Sequence, residues 1–210
     1  MTMQPFTTVT GAAVPLMRAN VDTDVIIRIE RLTHASRDAL GQYAFEALRF
    51  RPDGSEDPGC ILNHPAFRGA PVLLAGNNFG CGSSREGAVT ALMGMGVRCV
   101  IAPGFGDIFY NNCFQNGLLP VTLPMDVVEA LARQCLDGAH VCVDLAAQAI
   151  TAPDGTTVAF DIAPLRREGL LSGLDEIGLT LKDDDAIRAW QAQDRIDRAW
   201  AWCVTPGGRQ

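Results

Sequence analysis

The chain has 210 residues, 48% of them hydrophobic and 20% charged, with a formal net charge of −7. This is the composition of a soluble globular protein, and a chain of this length buries roughly 70% of its unfolded surface without disulfide staples. The acidic balance, with no block of Lys or Arg, excludes a phosphate-tracking surface, so no nucleic-acid partner is expected. The most apolar stretch, 96–108, is broken by Arg98, Pro103 and three glycines, so no membrane span is expected either. The first residues lack the charged and apolar regions of a signal peptide, which predicts a cytoplasmic protein.

The first third of the chain reads as irregular. Val21-Asp22-Thr23-Asp24-Val25-Ile26-Ile27 is a polar turn entering an apolar run. Residues 36–49 place apolar side chains near helical spacing, and the Pro/Gly/Asp-rich residues 51–59 form a loop. The middle third is better organised. It holds a buried strand at 71–75, a glycine-rich loop at 76–82, a helix opening at Ser83 and running to about Met95, and a second buried strand at 97–102. Strand, loop, helix and strand in succession form a βαβ crossover, so the two strands should be parallel and adjacent or nearly so. A short helix at 107–115 stops near Gly117, a third strand covers 119–123, and 126–136 is an amphipathic helix.

The pattern then turns antiparallel, with short strands at 141–145 and 149–151 and an Asp154-Gly155 hairpin leading to 158–160. A final amphipathic helix at 184–202 carries Ile187, Trp190, Ile196 and Trp200 on one face, either to dock a partner or to pack on the domain. The expected architecture is one α/β domain over 1–210 with a mixed sheet and a helical C-terminal extension at about 184–203.

The seven cysteines, Cys60, Cys81, Cys99, Cys113, Cys135, Cys142 and Cys203, are odd in number, irregularly spaced and free of C-x-x-C. Reduced, mostly structural thiols are expected, with no metal bound by this chain. Cys99 and Cys142 lie in apolar strand-like runs, where Cys packs as a small hydrophobe.

The segment that carries chemistry is Gly76-Asn77-Asn78-Phe79-Gly80-Cys81-Gly82-Ser83-Ser84-Arg85-Glu86. Its glycines allow positive φ and close approach of a ligand to the backbone at Gly80, Cys81 and Gly82. Ser83 and Glu86 have capping-box spacing, which places a helix start, with its unpaired N–H groups and positive dipole end, at Ser83. A cation in the first turn, Arg85, is unfavourable to the helix unless an anion compensates, so the expected ligand is a small anion. The plainer alternative is a serine-capped glycine turn with Arg85 solvated. The G-x-x-x-G-x-G spacing matches neither the dinucleotide fingerprint nor a phosphate loop. A nucleophilic Cys81 is disfavoured because His34, His64 and His140 are all remote in sequence.

Several segments in order carry a resemblance. They are Asn20-Val21-Asp22-Thr23-Asp24 with Ile26-Ile27, then Asn78 to Glu86, Val100-Ile101-Ala102-Pro103, Asp107-Ile108-Phe109, Leu118-Leu119-Pro120, Gly173 to Leu181 and Asp184-Asp185-Ala186-Ile187. Over residues 5–192 the chain resembles the small subunits of 3-isopropylmalate dehydratases, a branch of the aconitase superfamily. The resemblance implies a swivelling β/β/α domain, and a hydro-lyase of leucine biosynthesis that interconverts 2- and 3-isopropylmalate. It also implies a large-subunit partner holding a [4Fe–4S] cluster, with no cofactor on this chain. Carried over residue by residue, Ser83 is the base, and Ser84 and Arg85 hold substrate carboxylate. The loop 27–32 sorts substrates, with Arg28 or Arg31 gripping a distal carboxylate and Ile29 touching an alkyl group, or with both arginines merely solvated.

Two departures bear on the substrate. Arg28 and Ile29 stand where the family usually has proline and lysine, and Gly87 stands where it commonly has histidine. They leave two alternatives beside isopropylmalate. One is a paralogous hydratase for another 2-hydroxy di- or tricarboxylate of dimethylmalate, citramalate or homoaconitate type. The other is a non-catalytic module binding small anions.

Overall fold

The computed structural model describes residues 3–83 and 85–202. The chain divides after Asp175 into two compact units. Strand β1, Thr8–Leu16, opens the first unit in a stretch that sequence pattern left irregular. Gly11, Pro15 and a pair of alanines obscure its strand signal, yet Ala12 to Leu16 are all buried, because β1 lies in the middle of the sheet. The polar turn that follows closes into a single helical turn, α1, Thr23–Ile26, capped by the Asp22 carboxylate, which accepts the Val25 N–H at 2.8 Å. Helix α2 covers Ile29–His34.

The helix expected over 36–49 does not form as one piece. A 3-10 segment, Arg37–Tyr43, is separated from α3, Glu46–Arg49, by Phe45 at φ +54. The tertiary reason is that Phe45 is fully buried and donates its N–H to the Ile26 carbonyl at 2.8 Å, which breaks the helical path.

The remaining elements follow the pattern read from the sequence within a few residues. They are β2 (Val72–Ala75), α4 (Glu86–Gly94), β3 (Cys99–Ala102), α5 (Asp107–Asn116), β4 (Leu119–Thr122) and α6 (Met125–Gln134). Then come β5 (His140–Asp144), β6 (Ala149–Thr151) and β7 (Thr157–Ala159), and after them a helix for which the sequence pattern gave no expectation, α7 (Pro164–Ser172). The sheet order is β4-β3-β2-β1-β5-β6-β7. β2 and β3 are parallel neighbours, as the crossover required, and β1 and β4 extend the parallel half. β1 divides its pairing: residues 13–16 run parallel to β2, and residues 8–12 run antiparallel to β5. The β5–β6–β7 meander completes a mixed α/β sheet.

Period-two alternation along the parallel strands feeds two cores. Leu73, Ala75, Val100 and Ala102 face one cluster with Phe79, Val89, Leu92 and Phe109 from the α4 and α5 side. Val72, Leu74, Cys99 and Ile101 face the other with Val128 and Leu131 of α6 and Leu170 of α7. Strands buried on both faces are why 71–75 and 97–102 read as unbroken apolar runs. In the second unit, α8 (Glu176–Thr180) and α9 (Asp184–Asp197) are followed by a 3-10 turn, Ala199–Trp202, so the final helix is shorter than the amphipathic pattern suggested. Asp194 holds that turn by accepting from Arg198 Nε at 2.6 Å and Trp202 Nε1 at 2.8 Å. Cys203 lies outside the described residues.

Candidate functional site

The loop between β2 and α4 is fixed by main-chain bonds to two neighbours. On one side, Asn20 donates its N–H to the Asn77 carbonyl at 2.9 Å, Gly80 to Val21 at 2.7 Å and Thr23 to Cys81 at 2.9 Å. On the other, Phe79 donates to Gly104 at 3.0 Å and Gly106 donates back to Phe79 at 2.9 Å. Phe79 anchors the loop in the core, its ring edge-on to Phe109 at 5.5 Å. Two glycines are required here. Gly80 sits at φ +71 with the Phe109 ring where a Cβ would stand, and Gly82 sits at φ +93.

The helix start differs from the capping-box expectation. α4 begins at Glu86 with Arg85 as its N-cap, and no side chain caps it. Ser83 lies outside the helix in a bend, with an exposed side chain. The reason is tertiary. The Ser83 carbonyl accepts the Thr23 hydroxyl at 3.1 Å, which ties that residue to α1, sixty residues away in sequence. Ser84 lies outside the described residues. Arg85 is not solvated: its side chain is only 14% exposed and its guanidinium pairs with Asp24. The 80–85 loop and α1 thus form one unit, with Gly80, Cys81, Gly82, Ser83 and Arg85 gathered beside Asp22, Thr23 and Asp24. Sequence reasoning found the loop but not its clamp. Asp22 caps α1, whereas Asp24 faces Arg85; no local spacing links residues this far apart.

The two arginines of the 27–32 segment part company. Arg31 is committed within the chain. It binds Glu46 through Nε and Nη2 at 2.8 and 2.5 Å and lies over the Tyr43 ring at 4.3 Å. Arg28 is exposed and lines an open cleft of about 740 Å³ with Gln42, Tyr43, Glu46, Phe50 and Arg51. Ile29, beside it, is 48% exposed. Gly87 has a packing partner: Leu32 of α2 places its Cδ2 2.3 Å from where a Cβ would stand, so histidine there would displace that side chain.

The Arg31 bonds hold the Glu46 carboxyl below the usual glutamate range. Because the folded value is lowered, the pair's stabilisation is complete above about pH 4.3 and is lost as pH falls through the lowered value. Thermal melts of wild type and Glu46→Gln should therefore differ near neutral pH and converge on acidification. A gap independent of pH would show that this pair does not contribute to acid lability.

Among the described residues, no group of three or more His, Cys, Asp or Glu could hold a metal ion. Cys99 and Cys113 are fully buried and their thiols are pushed up; Cys135 is pushed up to about 11. Cluster ligation needs thiolates, which such burial disfavours. The described residues of this chain do not fit an iron–sulfur cluster. Cys60, Cys81 and Cys142 are free and partly exposed.

The chain is similar to known proteins over most of its length. The model of the aconitase C-terminal domain matches residues 3–126, and a second model, LeuD_N, matches residues 129–164. The 3-isopropylmalate dehydratase small subunit of Rhodospirillum centenum is 51% identical over 201 residues, covering 95% of this chain and 99% of that protein. That of Paramagnetospirillum magneticum is 49% identical over 200 residues, covering 94% and 100%. The crystal structure of a 3-isopropylmalate dehydratase from Methanocaldococcus jannaschii superposes with a TM-score of 0.64 at 29% identity, over 88% of this chain and 99% of that chain.

Proposed function

Because the chain belongs to the family of 3-isopropylmalate dehydratase small subunits, within the aconitase C-terminal domain fold, we propose that it supplies the base-bearing half of a hydro-lyase. The proposed reaction interconverts 2- and 3-isopropylmalate by loss and return of water on adjacent carbons, in leucine biosynthesis. The observation that supports it is an exposed Ser83 on a loop whose backbone is held on both sides, beside the largely buried Arg85 side chain.

Ser83 is the residue that takes the proton from the carbon next to a carboxylate. A serine hydroxyl is a poor base in water, so its alkoxide needs a nearby cation and helix-start N–H groups. Arg85 supplies the cation, and its engagement of a substrate carboxylate, with Ser84, competes with its pair to Asp24. The [4Fe–4S] cluster belongs on the large subunit, where its iron supplies Lewis acidity at the departing hydroxyl. No described helix is long and apolar enough to cross a membrane, and the proposed setting is the cytoplasm.

A second reading keeps the reaction and changes the acid. It is favoured by the exposed Arg28 and Ile29 and by the Leu32 side chain packed on Gly87. The deciding experiment is an anaerobic hydratase assay of this chain assembled with a cluster-loaded large subunit. It follows alkene absorbance with 2- and 3-isopropylmalate, citraconate, dimethylmaleate and homoaconitate. Turnover of isopropylmalate well above the others is expected. Turnover of another acid alone would move the substrate, and no turnover of any would refute the hydro-lyase assignment.

A further inference from the structure

Thr23 and Asn63 are the two buried polar residues among those described. A buried hydroxyl or amide is costly unless bonded, so where each spends its hydrogen bonds is informative. Asn63 serves its own loop. Its amide donates to the Arg49 and Asp57 carbonyls at 2.6 and 2.9 Å, and its carbonyl oxygen accepts from Arg49 Nε at 3.2 Å.

Thr23 reaches a different segment altogether. Its main-chain N–H donates to the Cys81 carbonyl at 2.9 Å and its hydroxyl donates to the Ser83 carbonyl at 3.1 Å. These two bonds straddle Gly82, at φ +93, a residue with little intrinsic preference for one conformation. One end of the clamp is rigid. Thr23 is 1% exposed, and α1, which it opens, is capped by Asp22 and has Ile26 fully buried. The next residue, Asp24, pairs with Arg85 on the far side of Ser83. Two consecutive residues of α1 therefore hold the loop before and after the exposed serine.

We propose that Thr23 is a positioning residue for the reaction: its hydroxyl sets the main-chain orientation of Ser83, and with it the direction in which the serine side chain meets substrate. This rests on the reading of Ser83 as the base. Thr23 touches no reacting atom. Its effect passes through the Ser83 carbonyl, so it governs the chemical step more than substrate affinity.

The test compares Thr23→Val, which keeps the shape and removes the donor, with Thr23→Ser, which keeps the donor, both in the assembled, cluster-loaded enzyme. Thr23→Val should lower kcat about 10- to 100-fold, the scale of a small misplacement of a reacting group, with KM within about twofold. Thr23→Ser should return kcat to within about threefold of wild type, since the hydrogen bond is retained. In the isolated chain, amide exchange across 81–85 should quicken about tenfold in Thr23→Val and stay near wild type in Thr23→Ser, reporting the clamp independently of catalysis.

A wild-type kcat in Thr23→Val would overturn the proposal. So would an equal loss in both variants, which would assign the effect to packing rather than to the hydroxyl. Ser83→Ala, run alongside, separates the two ideas. If it stays active, the reading of Ser83 fails, and the role given to Thr23 in the reaction fails with it, whatever the exchange rates. If it is inactive while Thr23→Val is normal, only the positioning role fails.

Discussion

Ser83→Ala should lower kcat of the assembled enzyme by about 10²- to 10⁴-fold, the range expected for removing a general base. It should do so without disturbing the fold. Ser83 is tied to α1 through its main-chain carbonyl, which accepts from Thr23, and alanine keeps that carbonyl. The side chain is exposed, and exposed substitutions of this kind usually move stability by less than about 0.5 kcal/mol. The measurement is steady-state hydration under anaerobic conditions, with size-exclusion chromatography to show that the two subunits still assemble. Assembly without turnover is the expected result. Assembly with wild-type turnover would remove Ser83 from the mechanism and leave Arg85 and the loop as a carboxylate site without a base on this chain.

Gly41→Ala should destabilise the first unit strongly. A Cβ at Gly41 would stand 2.1 Å from the carbonyl carbon of Gly94 and 2.3 Å from its oxygen. Both are main-chain atoms in the last turn of α4, so no side chain can swing aside. The contact is reciprocal: a Cβ at Gly94 would lie 2.9 Å from the Gly41 Cα and N. The 3-10 segment and α4 can approach this closely only because neither carries a side chain at the crossing. Overpacking of this kind costs about 3 kcal/mol or more when the backbone must move. For a protein of this size that corresponds to a fall of about 6–12 °C in Tm. Gly59→Ala is the control. Its Cβ would meet only an Asp57 oxygen at 3.5 Å, an ordinary contact, so its melt should match wild type. Coincident melts for Gly41→Ala and wild type would mean that the two segments do not pack backbone to backbone. The position bears on the proposed site as well, because the same helix begins at Glu86, immediately after the glycine-rich loop and its N-cap Arg85.

What could be read from the sequence divides along a physical line. Periodicity and turn chemistry located β2, β3 and β4, α5 with its Gly117 stop, α6 and the Asp154-Gly155 hairpin, because those signals act within a few residues. The glycine-rich loop was legible for the same reason: Gly80 and Gly82 mark positive φ wherever they fall. β1 was not legible. Its small residues, with Gly11 and Pro15, carry little strand preference, and they become a strand only because β2 and β5 supply partners on both sides. The broken helix at Phe45 was hidden likewise, since nothing local tells a buried left-handed phenylalanine from a helical one.

The site shows the same division. Sequence alone determined that Ser83 and Arg85 sit together after a glycine loop, and that no set of cysteines in the chain is spaced for a metal centre. Only the tertiary structure decided that the capping box is not used, that Arg85 pairs with Asp24, that Arg31 is taken by Glu46 while Arg28 stays exposed, and that Leu32 packs against Gly87. A capping box is a local preference of about 1 kcal/mol. Here it loses to the hydrogen bonds that α1 makes across sixty residues of chain, from the Thr23 N–H to Cys81 and from its hydroxyl to Ser83. Contacts at that separation leave no spacing in one sequence, because the fold, not the interval between residues, brings their partners together.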